Sequence, residues 1–119
     1  GEDGKLGLEE KEIIIPAVEK LNNILPDILG PFPADTLFYP ENRKNYDAII
    51  SMYHDQALIP LKTIDFFGSV NITLGLPFVR TSPDHGTAFD LVGKNSVRND
   101  SFISALQIAD KISLKRFSN

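Results

Sequence analysis

Apolar positions recur every three or four residues from Leu8 to Ile28, at Ile14, Ala17 and Val18, Leu21, Ile24 and Leu25, and Ile28. That spacing predicts an amphipathic helix. Glu9, Glu10 and Glu12 near its start suit the positive end of a helix dipole. Pro16 interrupts the run, so either the helix kinks there or Pro16 begins a second helix as its first residue. Gly30-Pro31-Phe32-Pro33 is a break. Asp35–Phe38 reads as a short strand and Pro40–Lys44 as a loop. Tyr46–Tyr53 is short and apolar between turn signals, the pattern of a buried strand.

Farther along, Gln56–Phe66 has helical spacing despite Pro60. Val70–Leu74 alternates and is β-branched, and Phe78–Thr81 follows as a second strand after Gly75 and Pro77. Thr87–Val92 reads as a short helix and Gly93–Ser101 as a polar loop. Ser101, with Asp100 just before it, is the expected N-cap of a last helix whose apolar face carries Phe102, Ala105, Leu106, Ala109 and Ile112. The opening Gly1–Gly7 is a polar, glycine-rich loop. Strands and helices in this order predict an α/β fold.

Composition narrows the function. The 119 residues suffice for one ordinary domain and not for two. With 42% hydrophobic and 24% charged residues, the chain is globular rather than disordered. A net charge of −4 gives no electrostatic footprint for nucleic acid. No basic run or basic amphipathic helix points to a membrane surface, and the apolar runs are too short to span a bilayer. Nucleic acid and membranes are therefore not expected partners. The chain has no cysteine, which excludes disulfides, thiolate metal sites and cysteine nucleophiles. Any metal must be held by His, Asp or Glu. Gly1-Glu2-Asp3-Gly4 is no signal peptide and the first Met is Met52, so the chain reads as a fragment of a longer protein.

Candidate chemistry gathers at a few positions. His54 directly follows the expected buried strand, where ligands collect in open α/β sheets. It is either a metal ligand with Asp55 as orienting partner or further ligand, or part of a capping segment with Asp55 as the N-cap. His85 lies in a turn shaped by Pro83 and Gly86. That turn either presents backbone N–H groups to a ligand or is a plain turn capped by Asp84 or Thr87. Lys62, Asn71 and Arg80 each interrupt apolar surroundings and must find partners. Lysine and arginine suit phosphate or carboxylate. The alternatives are a snorkelling Lys62, an edge-facing Asn71 and an Arg80 paired with a carboxylate. No nucleophile elbow, P-loop or Gly-x-Gly-x-x-Gly loop is present.

The strings Tyr46–Leu58 (YDAIISMYHDQAL), Val70–Thr81 (VNITLGLPFVRT) and Asp84–Leu91 (DHGTAFDL) resemble the 4-hydroxythreonine-4-phosphate dehydrogenase family of vitamin B6 synthesis. Gly1–Gly7, Ile15-Pro16 and Gly30–Phe38 follow its pattern in the same order, so the resemblance covers nearly the whole chain. It implies oxidation of 4-phosphooxy-L-threonine with NAD or NADP, followed by decarboxylation to 3-amino-2-oxopropyl phosphate. It also implies a divalent metal (zinc, magnesium or cobalt) held by histidines, of which His54 matches the last. Lys62, Asn71 and Arg80 match substrate-binding positions, with Lys62 and His54 in catalytic roles.

The DHGTA stretch also resembles a loop of isocitrate and isopropylmalate dehydrogenases. It implies cofactor contacts at His85, Gly86, Thr87 and Ala88, with Asn95 a further candidate. The implied fold is the three-layer α/β/α architecture of those enzymes, with only its C-terminal part present. On that reading, residues 1–119 supply part of the metal and substrate domain plus the C-terminal cofactor-side segment. A cytoplasmic homodimer is implied as well. Two departures from the family pattern are Ala57, where a glycine is common, and Asp3 in a glycine-rich turn. The family's other two metal histidines are expected upstream of Gly1. Dehydrogenation of threonate or erythronate 4-phosphate, or a purely structural piece, are the rival readings.

Overall fold

The computed structural model describes residues 2–87, 89–94 and 98–117. The chain forms two compact units, residues 1–56 and 57–119.

In the first unit, a π-helical turn at Glu10–Ile14 runs into helix α1, Ile15–Asn22. The backbone N–H of Ile15 still donates to the carbonyl of Glu10. Pro16 has no N–H to continue the ladder, and it sits at the start of α1, where that donor is not needed. The second of the two readings of Pro16 therefore holds, with the helix starting one residue earlier. The wider π-turn just before it absorbs the change in bonding without a break. The helix stops well short of Ile28. The Asn22 side chain instead clasps that residue, donating to its carbonyl at 2.8 Å and accepting from its N–H at 2.9 Å.

Three expectations in this unit are overturned. Asp35–Phe38 is no strand; helix α2 spans Ala34–Leu37. Pro33 presets an extended backbone before it, and the Thr36 hydroxyl donates back to the Pro33 carbonyl at 3.3 Å. Pro40–Lys44 is no loop; helix α3 spans Pro40–Arg43 with the proline in its first turn. Asn42 ties the two turns together by donating to the Thr36 carbonyl at 2.8 Å. The rings of Phe32 and Tyr46 meet at 5.8 Å.

Residues 46–53 form no strand either. A strand exists only with a ladder partner, and among the described residues the one sheet has two strands, neither of them here. The segment that reads as buried is instead open, with Ile50 74% and Tyr53 64% exposed.

Helix α4, His54–Ile64, forms as its spacing predicts, with its ends shifted by two residues. Its first turn lies in the first unit. There Gln56 reaches back to accept from the Met52 N–H at 2.8 Å, satisfying a donor ahead of the helix start. Pro60 sits inside the helix and leaves the carbonyl one turn earlier without its usual donor. After α4, Asp65 accepts from the Gly68 N–H at 2.8 Å; a side chain at Gly68 would collide with that carboxylate.

The second unit is built on a hairpin. Strand β1, Val70–Thr73, pairs antiparallel with β2, Arg80–Pro83, in the register Val70↔Pro83 to Thr73↔Arg80. The second strand starts two residues later than its apolar run suggests. Gly75, at φ +80°, supplies the left-handed residue of the connection. Thr87–Val92 tightens to a single 3-10 turn at Phe89–Leu91. Helix α5, Asp100–Phe117, closes the unit. Asp100 is already helical, so Ser101 is not its cap; the Asn99 carbonyl accepts the first helical bond, from Ile103, at 3.0 Å.

Helices and a sheet confirm the α/β character. Among the described residues the core is thin. Ala105 is the buried apolar side chain and Ser69 the buried polar one, while Leu74 and Ile24 are more than four-fifths exposed. No helix of the described residues is long and apolar enough to cross a membrane.

Candidate functional site

Along a strand, neighbours alternate between faces, and cross-strand partners share a face. Asn71, Thr73, Arg80 and Ser82 therefore lie on one face of the hairpin; Val70, Ile72, Thr81 and Pro83 lie on the other. The Thr81 hydroxyl donates to the Ala105 carbonyl of α5 at 2.9 Å, so α5 packs on the second face. The first face carries the polar groups.

Lys62, near the end of α4, completes that face. Its ammonium donates to the Ser69 hydroxyl at 3.0 Å and to the Asp84 backbone carbonyl. It also lies 2.9 Å from the Asp84 carboxylate oxygen Oδ2. That oxygen is itself buried, so the two opposite charges form a partly buried ion pair. Ser69 and Asp84 stand next beyond the Val70↔Pro83 pair. Lys62 is thus held at the end of the hairpin where that pair lies.

At the other end of the face, Arg80 donates through Nη1 to the Thr73 hydroxyl at 2.7 Å. Lys62 and Arg80 thus mark the two ends of one polar strip, with Asn71 exposed between them. Four residues of strand, about 13 Å, separate Ser69 from Thr73. The two cations therefore stand apart, one beside Ser69 and the other beside Thr73. Both also have internal partners, but Lys62 does not snorkel into solvent and Arg80 meets a hydroxyl rather than a carboxylate. A shallow cleft lined by Leu74, Leu76, Phe78, Ile112 and Arg116 borders the Arg80 end.

The loop at residues 84–87 continues from β2. His85 Nδ1 lies 3.0 Å from the Gly86 carbonyl, and His85, Gly86 and Thr87 are exposed. Open space surrounds Gly86. The loop at residues 84–87 is therefore open to solvent from His85 onward. Ala88 and Asn95 lie outside the described residues.

His54 opens α4. Its Nδ1 is 2.7 Å from the Asp55 carboxylate, with both side chains largely exposed. That contact leaves Nε2 as the nitrogen for a ligand, the arrangement by which a carboxylate orients a metal-binding imidazole. Yet no three His, Asp or Glu side chains cluster among the described residues. A divalent metal needs about three protein donors, so the described residues fit one ligand of such an ion and do not form a metal site.

Asp84, Ser69, Thr73 and Ser101 were not singled out as a group by the sequence. Asp84 read only as a possible cap, and its sole local signal is its place beside His85.

A family profile described as pyridoxal phosphate biosynthetic protein PdxA matches residues 1–109. The chain belongs to this family. Relatives named 4-hydroxythreonine-4-phosphate dehydrogenase include one from Caulobacter vibrioides, 60% identical over 98% of this chain and 35% of that protein. Another, from Paracoccus denitrificans, is 54% identical over 98% of this chain and 36% of that protein. A crystal structure of 4-hydroxythreonine-4-phosphate dehydrogenase from Klebsiella pneumoniae superposes with a TM-score of 0.75 at 44% identity, over 92% of this chain and 33% of that one. The Burkholderia phymatum enzyme superposes with a TM-score of 0.70 at 46% identity, over 94% of this chain and 34% of that one. The chain thus spans about a third of the length of the PdxA relatives it matches.

Proposed function

We propose that this chain is the C-terminal portion of a 4-hydroxythreonine-4-phosphate dehydrogenase and supplies one wall of its substrate site. The whole protein would oxidise 4-phosphooxy-L-threonine with NAD or NADP and release carbon dioxide, yielding 3-amino-2-oxopropyl phosphate. Membership in the PdxA family supports this reading. The observation that supports it is the hairpin face shared by Asn71 and Arg80, with Lys62 bonded to Ser69 just ahead of β1.

On this reading, Lys62 offers an ammonium and Arg80 a guanidinium fork to the two anionic ends of the substrate. Asn71 contributes donor and acceptor between them. These groups bind and orient; holding a reactant in a productive pose is itself a large part of a rate enhancement. His85, Gly86 and Thr87, with Ala88 and Asn95, are proposed to touch the cofactor. A bound nicotinamide cofactor supplies the hydride acceptor. His54, turned by Asp55, is proposed as one ligand of a zinc, magnesium or cobalt ion whose other donors lie elsewhere in the whole protein. A cytoplasmic homodimer completes the proposal.

The test is reduction of NAD or NADP by the whole protein with 4-phosphooxy-L-threonine, run beside threonate and erythronate 4-phosphates. Turnover fastest with the amino acid supports the reading. Turnover only with the sugar acids would keep the family chemistry and change the substrate. No turnover with any of them would leave the chain a structural piece.

A further inference from the structure

We infer that Asp84 is a positioning residue: it fixes the ammonium of Lys62 for an incoming anionic group and ties it to the loop at residues 84–87. The inference rests on the proposed substrate role of Lys62 and deepens it.

An ammonium has three N–H donors. In Lys62, one goes to the Ser69 hydroxyl and one to the Asp84 backbone carbonyl. The Asp84 carboxylate oxygen Oδ2 stands 2.9 Å away, within reach of the third. The carboxylate charge therefore holds the ammonium in place for an incoming anionic group. The two side chains are only 23% and 17% exposed, so solvent screens their attraction less than at an open surface.

Asp84 is itself anchored. Its backbone N–H donates to the Ser101 hydroxyl at 3.1 Å, and that hydroxyl donates onward to the Ser69 carbonyl at 2.8 Å. The carboxylate that steadies Lys62 thus belongs to a residue fixed to both strands and to α5. The next residue is His85, where the proposed cofactor loop begins.

Two effects oppose each other when Asp84 becomes neutral. The nearby negative charge no longer repels an anionic ligand, which favours binding. The long lysine stem also regains freedom that binding must remove, and an uncompensated cation in a half-buried place turns toward solvent. A positioning role means that the second effect wins.

The whole protein is assayed with 4-phosphooxy-L-threonine and NAD as wild type, Asp84→Asn, Asp84→Glu, Lys62→Met and the Lys62→Met/Asp84→Asn double variant. Asp84→Asn is expected to raise the substrate KM about tenfold, or ~1.4 kcal/mol, with kcat changed less. Asp84→Glu keeps the charge and is expected to fall between wild type and Asp84→Asn. In the Lys62→Met background, Asp84→Asn is expected to add no more than about twofold, the limit for residues that act as one unit. An unchanged or lowered KM in Asp84→Asn overturns the inference, as does an equal added effect without Lys62, which marks a merely structural role. Circular dichroism melts separate these outcomes from misfolding. If wild type turns over no substrate, the functional reading fails by itself. The Lys62–Asp84 link is then tested by the dissociation constant of inorganic phosphate across the same variants, with the same pattern expected and a flat series overturning it.

Discussion

The hydroxyl of Ser101 donates to the carbonyl of Ser69 at 2.8 Å, 32 positions away in the chain. It also accepts from the Asp84 N–H at 3.1 Å. Those two backbone groups face each other just beyond the last pair of the hairpin, Val70↔Pro83. The hydroxyl stands where one more rung of the ladder would lie, and it pins the first turn of α5 to the sheet.

Replacing Ser101 by Ala leaves that N–H and that carbonyl without partners in a half-buried place. Each such loss costs about 1–3 kcal/mol. The Ser101→Ala protein is expected to melt lower than wild type, with faster hydrogen exchange at the Asp84 amide. Unchanged exchange there would show that the bridge carries no stability.

His54 and Asp55 give a second expectation. If the carboxylate orients the imidazole for a metal ion, Asp55→Asn is expected to weaken metal affinity by about 10- to 100-fold in the whole protein. His54→Ala is expected to weaken it further and to abolish metal-dependent turnover. Metal titration by calorimetry checks both. Equal affinity in wild type and His54→Ala would remove His54 from the ligand set.

Arg98 and Asp100 provide a pH-dependent contact. Arg98 donates to the Asp100 carboxylate at 2.8 Å and lies over the Phe67 ring at 3.8 Å from its centre. The hydrogen bond from Arg98 holds the Asp100 carboxyl below its ordinary value, with the guanidinium charge adding to it, and the same bond raises Arg98. A carboxyl lowered in the folded state adds stability above its unfolded pKa, about 3.9, and loses it as pH falls through the folded value. Asp100→Asn is therefore expected to lower the melting temperature slightly at neutral pH. The gap is expected to close below about pH 4 and to shrink with salt, because both side chains are exposed. A gap that grows in acid would contradict this assignment.

The elements legible in the sequence are those fixed by local pattern. Helix α4 follows from the spacing of Leu58, Ile59, Leu61 and Ile64, and Pro60 does not break it. Strand β1 follows from the alternation at Val70–Thr73. What failed depends on partners that sequence does not name. Tyr46–Tyr53 has the apolar content of a strand, but among the described residues no neighbour gives it a ladder. Asp35–Phe38 is too short for its period to outweigh the turn chemistry of Pro33 and Thr36. Ser101 lies in the first turn of α5 rather than at its cap, and its bonds run 17 and 32 residues back, invisible to a local reading. The same holds for the site. Lys62, Asn71 and Arg80 stood out as polar residues among apolar ones, whereas the partnership of Lys62 with Asp84, 22 positions on, needed the hairpin register.

On the proposed function, the polar face of the hairpin binds a phosphorylated hydroxy acid. That binding is tested most directly by initial-velocity kinetics of the whole protein with 4-phosphooxy-L-threonine, wild type against Arg80→Ala. Arg80 lies at the open end of that face, so its loss removes a charged contact worth about 2 kcal/mol or more. In Arg80→Ala the KM is expected to rise at least about tenfold, with the melting temperature nearly unchanged. Kinetics of Arg80→Ala identical to those of wild type would contradict it.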